Sequence, residues 1–596
     1  MRLIPGAAAL LLALAAGLPT AAPQTPAPSA ASSKDFLTEK DVPIPMGDAV
    51  ILRADILRPR AKGRFPVLVY RTPYGKHSAL KNYSTFAHAV QRGYAVVVQD
   101  VRGRYASEDE FVPYKNEGRD GYDTIEWAAR QPWSNGKVGT FGLSYPGAVQ
   151  WLAAMESPPH LKAMVPAMTF STPRNFFYAT GVFDMSWMEW IWRNIAPDVR
   201  VKKNLPGPRT YEEAAAAWPK VRDKLLWKLP LDSVEELRGI APYYYDWLQH
   251  PPEDPWWDWA ELRNKYARVQ AAVLNLSGWH DENYGPEGAT TNFAGLVAAR
   301  KGQRDPRTHL LIGPWVHGVE ETGLTKSGER EFGSAARIDY DEVVLRWMDH
   351  YLRGINNGVE REKPVRLFVM GENRWREEDT WPPPHSKPTY FYLAGGGAGQ
   401  NRGALKAEAP SDEQFSVFTS DPAHPVLNPY AGKSGAHDYR ELANRSDVLV
   451  FDSEPLQQDL EVTGSTEAEI HISCDCRDAD VWVRLLDVAP DGTAFNLMSP
   501  GNDVLRVSYR DSARGQQLLT PGEVYKLTLR NLRTSNVFKT GHRVLAQISA
   551  SFFPDFSRNL QTGESETTSA KMQRAEIRIY HDREHPSRLL LPVMPR

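Results

Sequence analysis

The sequence predicts an α/β protein: a doubly wound sheet interrupted by a helical block and followed by an all-β region. Three observations carry that prediction. Up to residue 170, short apolar runs without polar alternation, as expected of strands buried on both faces, alternate with helical patterns. Residues 171–268 are rich in Trp, Tyr, Phe and Pro and contain helical runs such as 212–226, with no clear strand. Beyond Lys363, about eight β-rich segments bounded by turn residues fit a sandwich or jelly roll, with Asp491-Gly492 as a hairpin turn.

In order, 65–70 (FPVLVY) and 94–99 (YAVVVQ) read as buried parallel strands, with Phe86, Val90 and Tyr94 at helical spacing between them. Residues 120–131 place Tyr122, Ile125, Trp127 and Ala128 on one helical face. Strands follow at 137–141 and 161–165. After the helical block the α/β pattern resumes at 271–276 and 308–312, with an amphipathic helix around 340–352. The expected organisation is an α/β domain over 36–170 and 269–362, a helical cap insertion over 171–268, and a β-domain over 363–596. A chain of 596 residues exceeds one ordinary core, which agrees with several domains.

The N-terminus carries Arg2, an apolar stretch over 7–18 and small residues at Ala21 and Ala22, the order of a secretory signal peptide spanning 1–22. A Pro/Ala/Ser-rich linker, 23–35, follows. The apolar run falls short of a membrane span. The expected product is exported, secreted or periplasmic, and not membrane-bound after signal cleavage; a homo-oligomer is left open. Lys and Arg number 70 and Asp and Glu 73, so the net charge of −3 argues against nucleic acid as a partner. The only two cysteines, Cys474 and Cys476, exclude a disulfide framework and a four-thiolate zinc site, and read as structural or incidental. No metal and no cofactor is expected: there is no H-E-x-x-H, EF-hand loop or Cys/His quartet.

The chemistry gathers at three strand ends. Gly142-Leu143-Ser144-Tyr145-Pro146-Gly147 lies between a strand and a helix, where a sharp turn presents a serine hydroxyl at the sheet's carboxyl edge. Its second small residue comes one position later than in G-x-S-x-G. Gly278-Trp279-His280-Asp281-Glu282 follows the strand at 271–276, and Asp281, the first of three nearby carboxylates (Asp281, Glu282, Glu287), can orient an imidazole. His317 lies in a Gly-bounded loop after the strand at 308–312. The order Ser144, Asp281, His317 is that of α/β-hydrolases.

With Arg71-Thr72-Pro73-Tyr74-Gly75-Lys76, Asp100-Val101-Arg102-Gly103-Arg104 and Ile312-Gly313-Pro314-Trp315-Val316-His317, the serine turn resembles the cocaine esterase-like hydrolases. Arg366-Leu367-Phe368-Val369-Met370-Gly371 and Thr534-Ser535-Asn536-Val537-Phe538 share that resemblance. The family includes α-amino-acid ester hydrolases, glutaryl-cephalosporin acylases and X-Pro dipeptidyl-peptidases. The likeness runs from about residue 37 to the end, and Gly147 agrees with the family's G-x-S-Y-x-G form. It implies an α/β-hydrolase domain, a helical cap and a C-terminal jelly roll. By the same resemblance, Ser144 is the nucleophile, His317 the general base and then acid, and Asp281 the orienting carboxylate. Tyr74 and the Tyr145 backbone N–H would form the oxyanion hole.

The expected function is hydrolysis of a small-molecule ester or amide through an acyl-enzyme. X-Pro dipeptidyl-peptidase activity is the alternative within the enzyme class, and a non-catalytic surface-binding protein the one outside it. α-Amino-acid ester hydrolases carry acids at the second and third positions after the triad Asp; Asn283 and Tyr284 stand there. Recognition of a free amine would fall to Glu282 or Glu287. Among the aromatics of the helical block, Phe177, Trp187 and Trp190 are expected to line an apolar acyl pocket.

Overall fold

The computed structural model describes residues 36–595 apart from 302–304, 396–399, 412–413 and 512–513; the expected signal peptide and linker lie outside the described residues. Ten strands form the first sheet: β1 (Phe36–Pro45), β2 (Ile51–Pro59), β3 (Phe65–Thr72), β4 (Ala95–Asp100), β5 (Ser134–Leu143), β6 (Leu161–Ala167), β7 (Ala272–Gly278), β8 (Thr308–Gly313), β9 (Val365–Val369) and β10 (Arg374–Glu378). Their order is β1-β2-β4-β3-β5-β6-β7-β8-β9-β10. From β4 to β9 the neighbours pair in parallel, while β1, β2 and β10 add antiparallel edges.

The parallel strands are the apolar runs read from the sequence. β4 is buried at every position, as a strand covered on both faces must be. Helices α1 (Lys76–Asn82), α2 (Thr85–Gln91), α3 (Glu117–Ala129) and α4 (Tyr145–Met155) follow in the first half of this sheet. β1 and β2 carry charged residues at the sheet's edge and lacked an apolar signature. β9 differs from expectation. The sequence assigns its residues to the all-β region, yet Leu310–Ile312 pair in parallel with Val365–Leu367, so the first sheet takes two strands from beyond residue 363.

Between β6 and β7 the chain is helical: α5 (Pro173–Phe177), α6 (Ser186–Trp190), α7 (Ala196–Lys203), α8 (Tyr211–Leu226) and α9 (Pro242–Gln249), with a single turn of π-helix over Ile191–Ile195 and a two-stranded pairing of Tyr178–Ala179 with Val182–Phe183. Thr210 caps α8 by accepting from the Glu213 N–H. The aromatic residues of this segment share one apolar cluster with α3, α4 and one face of the sheet. Helices α10 (Tyr284–Ala299) and α11 (Tyr340–Met348) complete the first half, and α11 packs in a second cluster on the sheet's other face.

The C-terminal region is sheet-rich, with twelve strands joined in one network. Its backbone is the long antiparallel pairing of Leu460–Cys474 with Tyr525–Phe538. The expected turn at Asp491-Gly492 connects Asp480–Val488 to Ala494–Asn496. Cys474 and Cys476 are joined by a disulfide. Among the described residues no helix is long and apolar enough to cross a membrane.

Candidate active site

Ser144 sits between β5 and α4 at φ 67° and ψ −125°, a left-handed conformation that a non-glycine residue adopts only under constraint. The constraint is visible. The Ser144 N–H donates to the Ala167 carbonyl at the end of β6 at 3.0 Å, and its own carbonyl accepts from the N–H groups of Gly147 and Ala148. A Cβ at Gly147 would stand 2.5 Å from the Ala167 carbonyl oxygen. The glycine one position later than in the usual pattern is therefore what lets α4 start this close to β6. As the first residue of α4, Tyr145 carries one of the four backbone donors that a helix leaves unpaired, aimed where negative charge is favoured.

The loops after β7 and β8 are zipped together. Trp279 N–H donates to the Gly313 carbonyl at 2.8 Å and His280 N–H to the Trp315 carbonyl at 3.1 Å. That pairing brings Asp281 and His317 into contact, with Nδ1 of the imidazole 2.6 Å from Asp281 Oδ1. The carboxylate is wholly buried and otherwise satisfied: Ser277 Oγ donates to Oδ2 at 2.9 Å and the Glu282 N–H to Oδ1 at 2.8 Å. An acceptor-only partner places the proton on Nδ1 and leaves Nε2 as the basic nitrogen. Burial opposes charge on His317, but the charge and hydrogen bond of Asp281, joined by the charge of Glu282, outweigh it and hold the imidazole above its ordinary value.

Tyr74 lies in the loop after β3, where its N–H donates to Thr72 Oγ1 at 3.1 Å. The Trp190 indole N–H donates to the Tyr74 hydroxyl oxygen at 3.0 Å. Burial pushes the Tyr74 phenol up to about 12, with hydrogen bonding to Trp190 and Ser144 pulling the other way. The phenol therefore stays protonated, a donor beside the serine. Trp190 also lies parallel to the Tyr145 ring, 6.4 Å between centroids. Nothing in the sequence pointed to this indole–phenol contact across 116 residues.

The other expected site residues fall in two groups. Glu282 is half-buried beside His317, and burial, with Asp281, Asp555 and Glu189 as like charges, raises its carboxyl. Glu287 is engaged elsewhere: both its oxygens accept from Ser171 Oγ, and Thr291 Oγ1 donates to Oε1 at 2.8 Å. Trp187 is buried, its indole donating to the Phe176 carbonyl at 3.0 Å. Phe177, expected to face a substrate, has no exposed surface and packs against Trp187, Trp247 and Trp257. It belongs to the apolar core of the helical segment, because the Trp residues of 247–257 fold over it. Asp184, which the sequence did not single out, is buried, and desolvation pushes its carboxyl up to about 8, with Glu282 and Asp555 adding like charge. Among the described residues no group of three or more His, Cys, Asp or Glu is arranged to hold a metal ion.

A buried Asp–His pair can accept a proton, and a protonated phenol beside Ser144 can donate to a developing oxyanion. Comparison with known proteins agrees in kind. Residues 48–319 match the model of the X-Pro dipeptidyl-peptidase S15 family, and 357–590 that of the X-Pro dipeptidyl-peptidase C-terminal non-catalytic domain. The chain is 34% identical to the cocaine esterase of Rhodococcus sp. (strain MB1 Bresler) over 94% of its own length and 99% of that protein. An α-amino acid ester hydrolase structure superposes with a TM-score of 0.73 at 26% identity, covering 96% of this chain and 100% of the other. An aminopeptidase from a marine sediment Thaumarchaeota archaeon shares the fold, with a TM-score of 0.78 at 24% identity over 97% and 100% of the two chains.

Proposed function

The chain belongs to the hydrolase family of cocaine esterase and the S15 X-Pro dipeptidyl-peptidases, and on that premise we propose that it is an exported serine hydrolase cleaving acyl ester or amide bonds of small substrates. The observation that carries the reading is the 2.6 Å Asp281–His317 contact on the loops after β7 and β8 of the sheet whose β5 ends in the turn that holds Ser144 at a positive φ. Ser144 Oγ attacks the substrate carbonyl as its proton passes to His317 Nε2, and buried Asp281 stabilises the imidazolium. The Tyr74 hydroxyl and the Tyr145 N–H receive the tetrahedral oxygen, each worth about 3 kcal/mol in the transition state by analogy with oxyanion donors elsewhere. Collapse expels the alcohol or amine, protonated by His317. Water activated by the same nitrogen then frees the acid.

Residues 171–268 act as a cap over the sheet edge, with Trp187 and Trp190 toward the acyl side, and the sheet-rich region beyond β10 as a jelly roll that completes the wall. The leader 1–22 is removed on export; N-terminal sequencing of the mature protein that began at Met1 would count against this.

A second reading is favoured by one observation. Glu282 lies beside His317 with like charges around it and, among the described residues, no side-chain hydrogen bond, whereas Glu287 is already occupied. A substrate ammonium would be held there, as an X-Pro dipeptidyl-peptidase requires. Turnover of a p-nitrophenyl acyl ester and of an Ala-Pro p-nitroanilide, with Ser144→Ala as the blank, separates the two. Ester cleavage alone, lost in the variant, supports the first reading. Faster anilide cleavage replaces it with the second, and turnover that survives in Ser144→Ala removes both.

A further inference from the structure

Beneath the serine turn lies an ion pair that the chemistry above does not use. Glu117 opens α3 and is buried; Arg71, near the end of β3, is buried against it, with Nη2 2.8 Å from Glu117 Oε2. Arg71 also donates through Nη1 to the Glu117 backbone carbonyl at 3.0 Å and through Nε to Gln99 Oε1 at 2.7 Å. The other oxygen of Glu117 accepts from the Tyr145 hydroxyl at 2.7 Å. That hydroxyl in turn accepts from the Tyr114 N–H at 3.0 Å, and the Tyr114 ring stacks on Tyr145 at 4.2 Å.

Tyr145 therefore has no freedom at its side chain. It has no exposed surface, its tip is pinned from two sides, and its face is covered. Its backbone N–H follows directly on the strained Ser144, so a ring held in place holds that N–H in place. Arg71 stands three residues before Tyr74 on the same strand end. One carboxylate thus ties the strand that delivers the phenol to the turn that delivers the amide.

We propose that Glu117, anchored by Arg71, is a positioning residue of the oxyanion hole, acting through the Tyr145 phenol to set the Tyr145 N–H against the Tyr74 hydroxyl. It touches neither substrate nor reacting atoms. The proposal rests on the reading of Tyr145 as an oxyanion donor. A helix N-terminus favours a carboxylate, and a buried ion pair whose other atoms are hydrogen-bonded to Gln99, the Glu117 carbonyl and Tyr145 restricts the geometry, which is what a hole built from two separate elements needs.

Tyr145→Phe removes only the hydroxyl and leaves the ring and the ion pair; Glu117→Gln keeps a carbonyl acceptor for that hydroxyl. Both are made in the mature full chain and compared with wild type on a p-nitrophenyl acyl ester. Active sites are counted by fluorophosphonate titration, and affinity for phenylboronic acid, whose tetrahedral Ser144 adduct places an oxygen in the hole, is measured alongside. For Tyr145→Phe the expected result is a kcat lowered about tenfold with KM within about twofold, and boronate binding weakened in parallel. Glu117→Gln should lose less kcat than Tyr145→Phe. A kcat per active site within twofold of wild type in Tyr145→Phe overturns the proposal, whatever happens to the melting temperature. So does a fall in kcat with boronate affinity unchanged. Should Tyr145→Phe not fold, Glu117→Gln decides on the same pair of numbers. Wild-type protein that turns over neither the ester nor an Ala-Pro p-nitroanilide and does not react with the fluorophosphonate overturns the donor reading itself and this proposal with it, so the two failures are told apart.

Discussion

His317 carries the pH dependence of the proposed reaction, and its sign follows from its surroundings. Only the neutral imidazole can take the serine proton, so kcat/KM falls as pH drops through its pKa. Asp281 and Glu282 face the ring with negative charge and Tyr284 with a neutral phenol, and the net effect is a raised value. The acidic limb of the pH–rate profile should therefore lie above the ordinary imidazole value of about 6.5. Glu282→Gln removes one of the charges responsible and should move that limb to lower pH; an unmoved limb in the variant would refute this electrostatic account. The linked stability has the opposite sense: a folded pKa above the unfolded one stabilises the fold fully below the unfolded value, and that increment is lost as pH rises through the folded one. Tyr74 makes a separate prediction. With its phenol pushed up to about 12 it remains a donor throughout the working range, and Tyr74→Phe should lower kcat about a hundredfold with little change in KM, measured on the same ester. A loss confined to KM would assign Tyr74 to substrate binding instead.

At the scale of elements, the site depends on how closely α10 and α4 approach the loops they serve. Gly285, in the first turn of α10, faces the Asp281 carboxylate: a Cβ there would stand 1.8 Å from its Oδ2. Gly285→Ala must displace either the helix or the carboxylate. Because a misplacement of about 1 Å costs roughly a hundredfold in rate, kcat/KM should fall by about that factor while circular dichroism stays native. Wild-type activity in this variant would mean that the Asp281 geometry described here is not the working one. The strain at Ser144, about 1–3 kcal/mol for a non-glycine residue in such a conformation, is sustained by the hydrogen bonds at both its ends and by the close start of α4 against β6. The pattern of residues around this turn was readable in the sequence because strand, small residues and helix must follow each other in the chain. The anchoring of Tyr145 by Glu117 was not, since those residues are 28 apart.

For the whole molecule, the first sheet and the C-terminal region are structurally interdependent. β9 and β10 come from the far side of residue 363, and the loop bearing Asp281 is buttressed from the C-terminal region: His280 contacts the Asn496 carbonyl at 3.2 Å and Ser499 Oγ donates to the His280 carbonyl at 2.8 Å. The helical segment is tied on as well, with Met185 N–H on the Asp555 carbonyl at 2.8 Å and Leu231 N–H on the Glu566 carbonyl at 2.9 Å. A chain ending at residue 380 would keep all three residues of the proposed triad and lose these supports. It should fail to react with a fluorophosphonate at Ser144, and the intact protein should melt in one calorimetric transition. Labelling of the truncated chain at the wild-type rate would show that the first half is self-sufficient.

The amino-acid sequence by itself determined the alternation of buried strands and helices, the position of Ser144 at a strand-to-helix turn, and the placement of Asp281 and His317 after successive strands. These are local facts: burial on both faces writes a continuous apolar run, and a sharp turn demands small residues beside it. β1 at the edge and β2 beside it, both interrupted by charged residues, wrote no such run. Which aromatics would be core, that Glu287 would be engaged by Ser171 and Thr291, that Trp190 would reach Tyr74, and that β9 would leave the all-β region for the first sheet were decided only by tertiary structure. Each of those outcomes depends on a partner tens to hundreds of residues away. One aromatic or carboxylate looks like another in the chain until the fold chooses its neighbour.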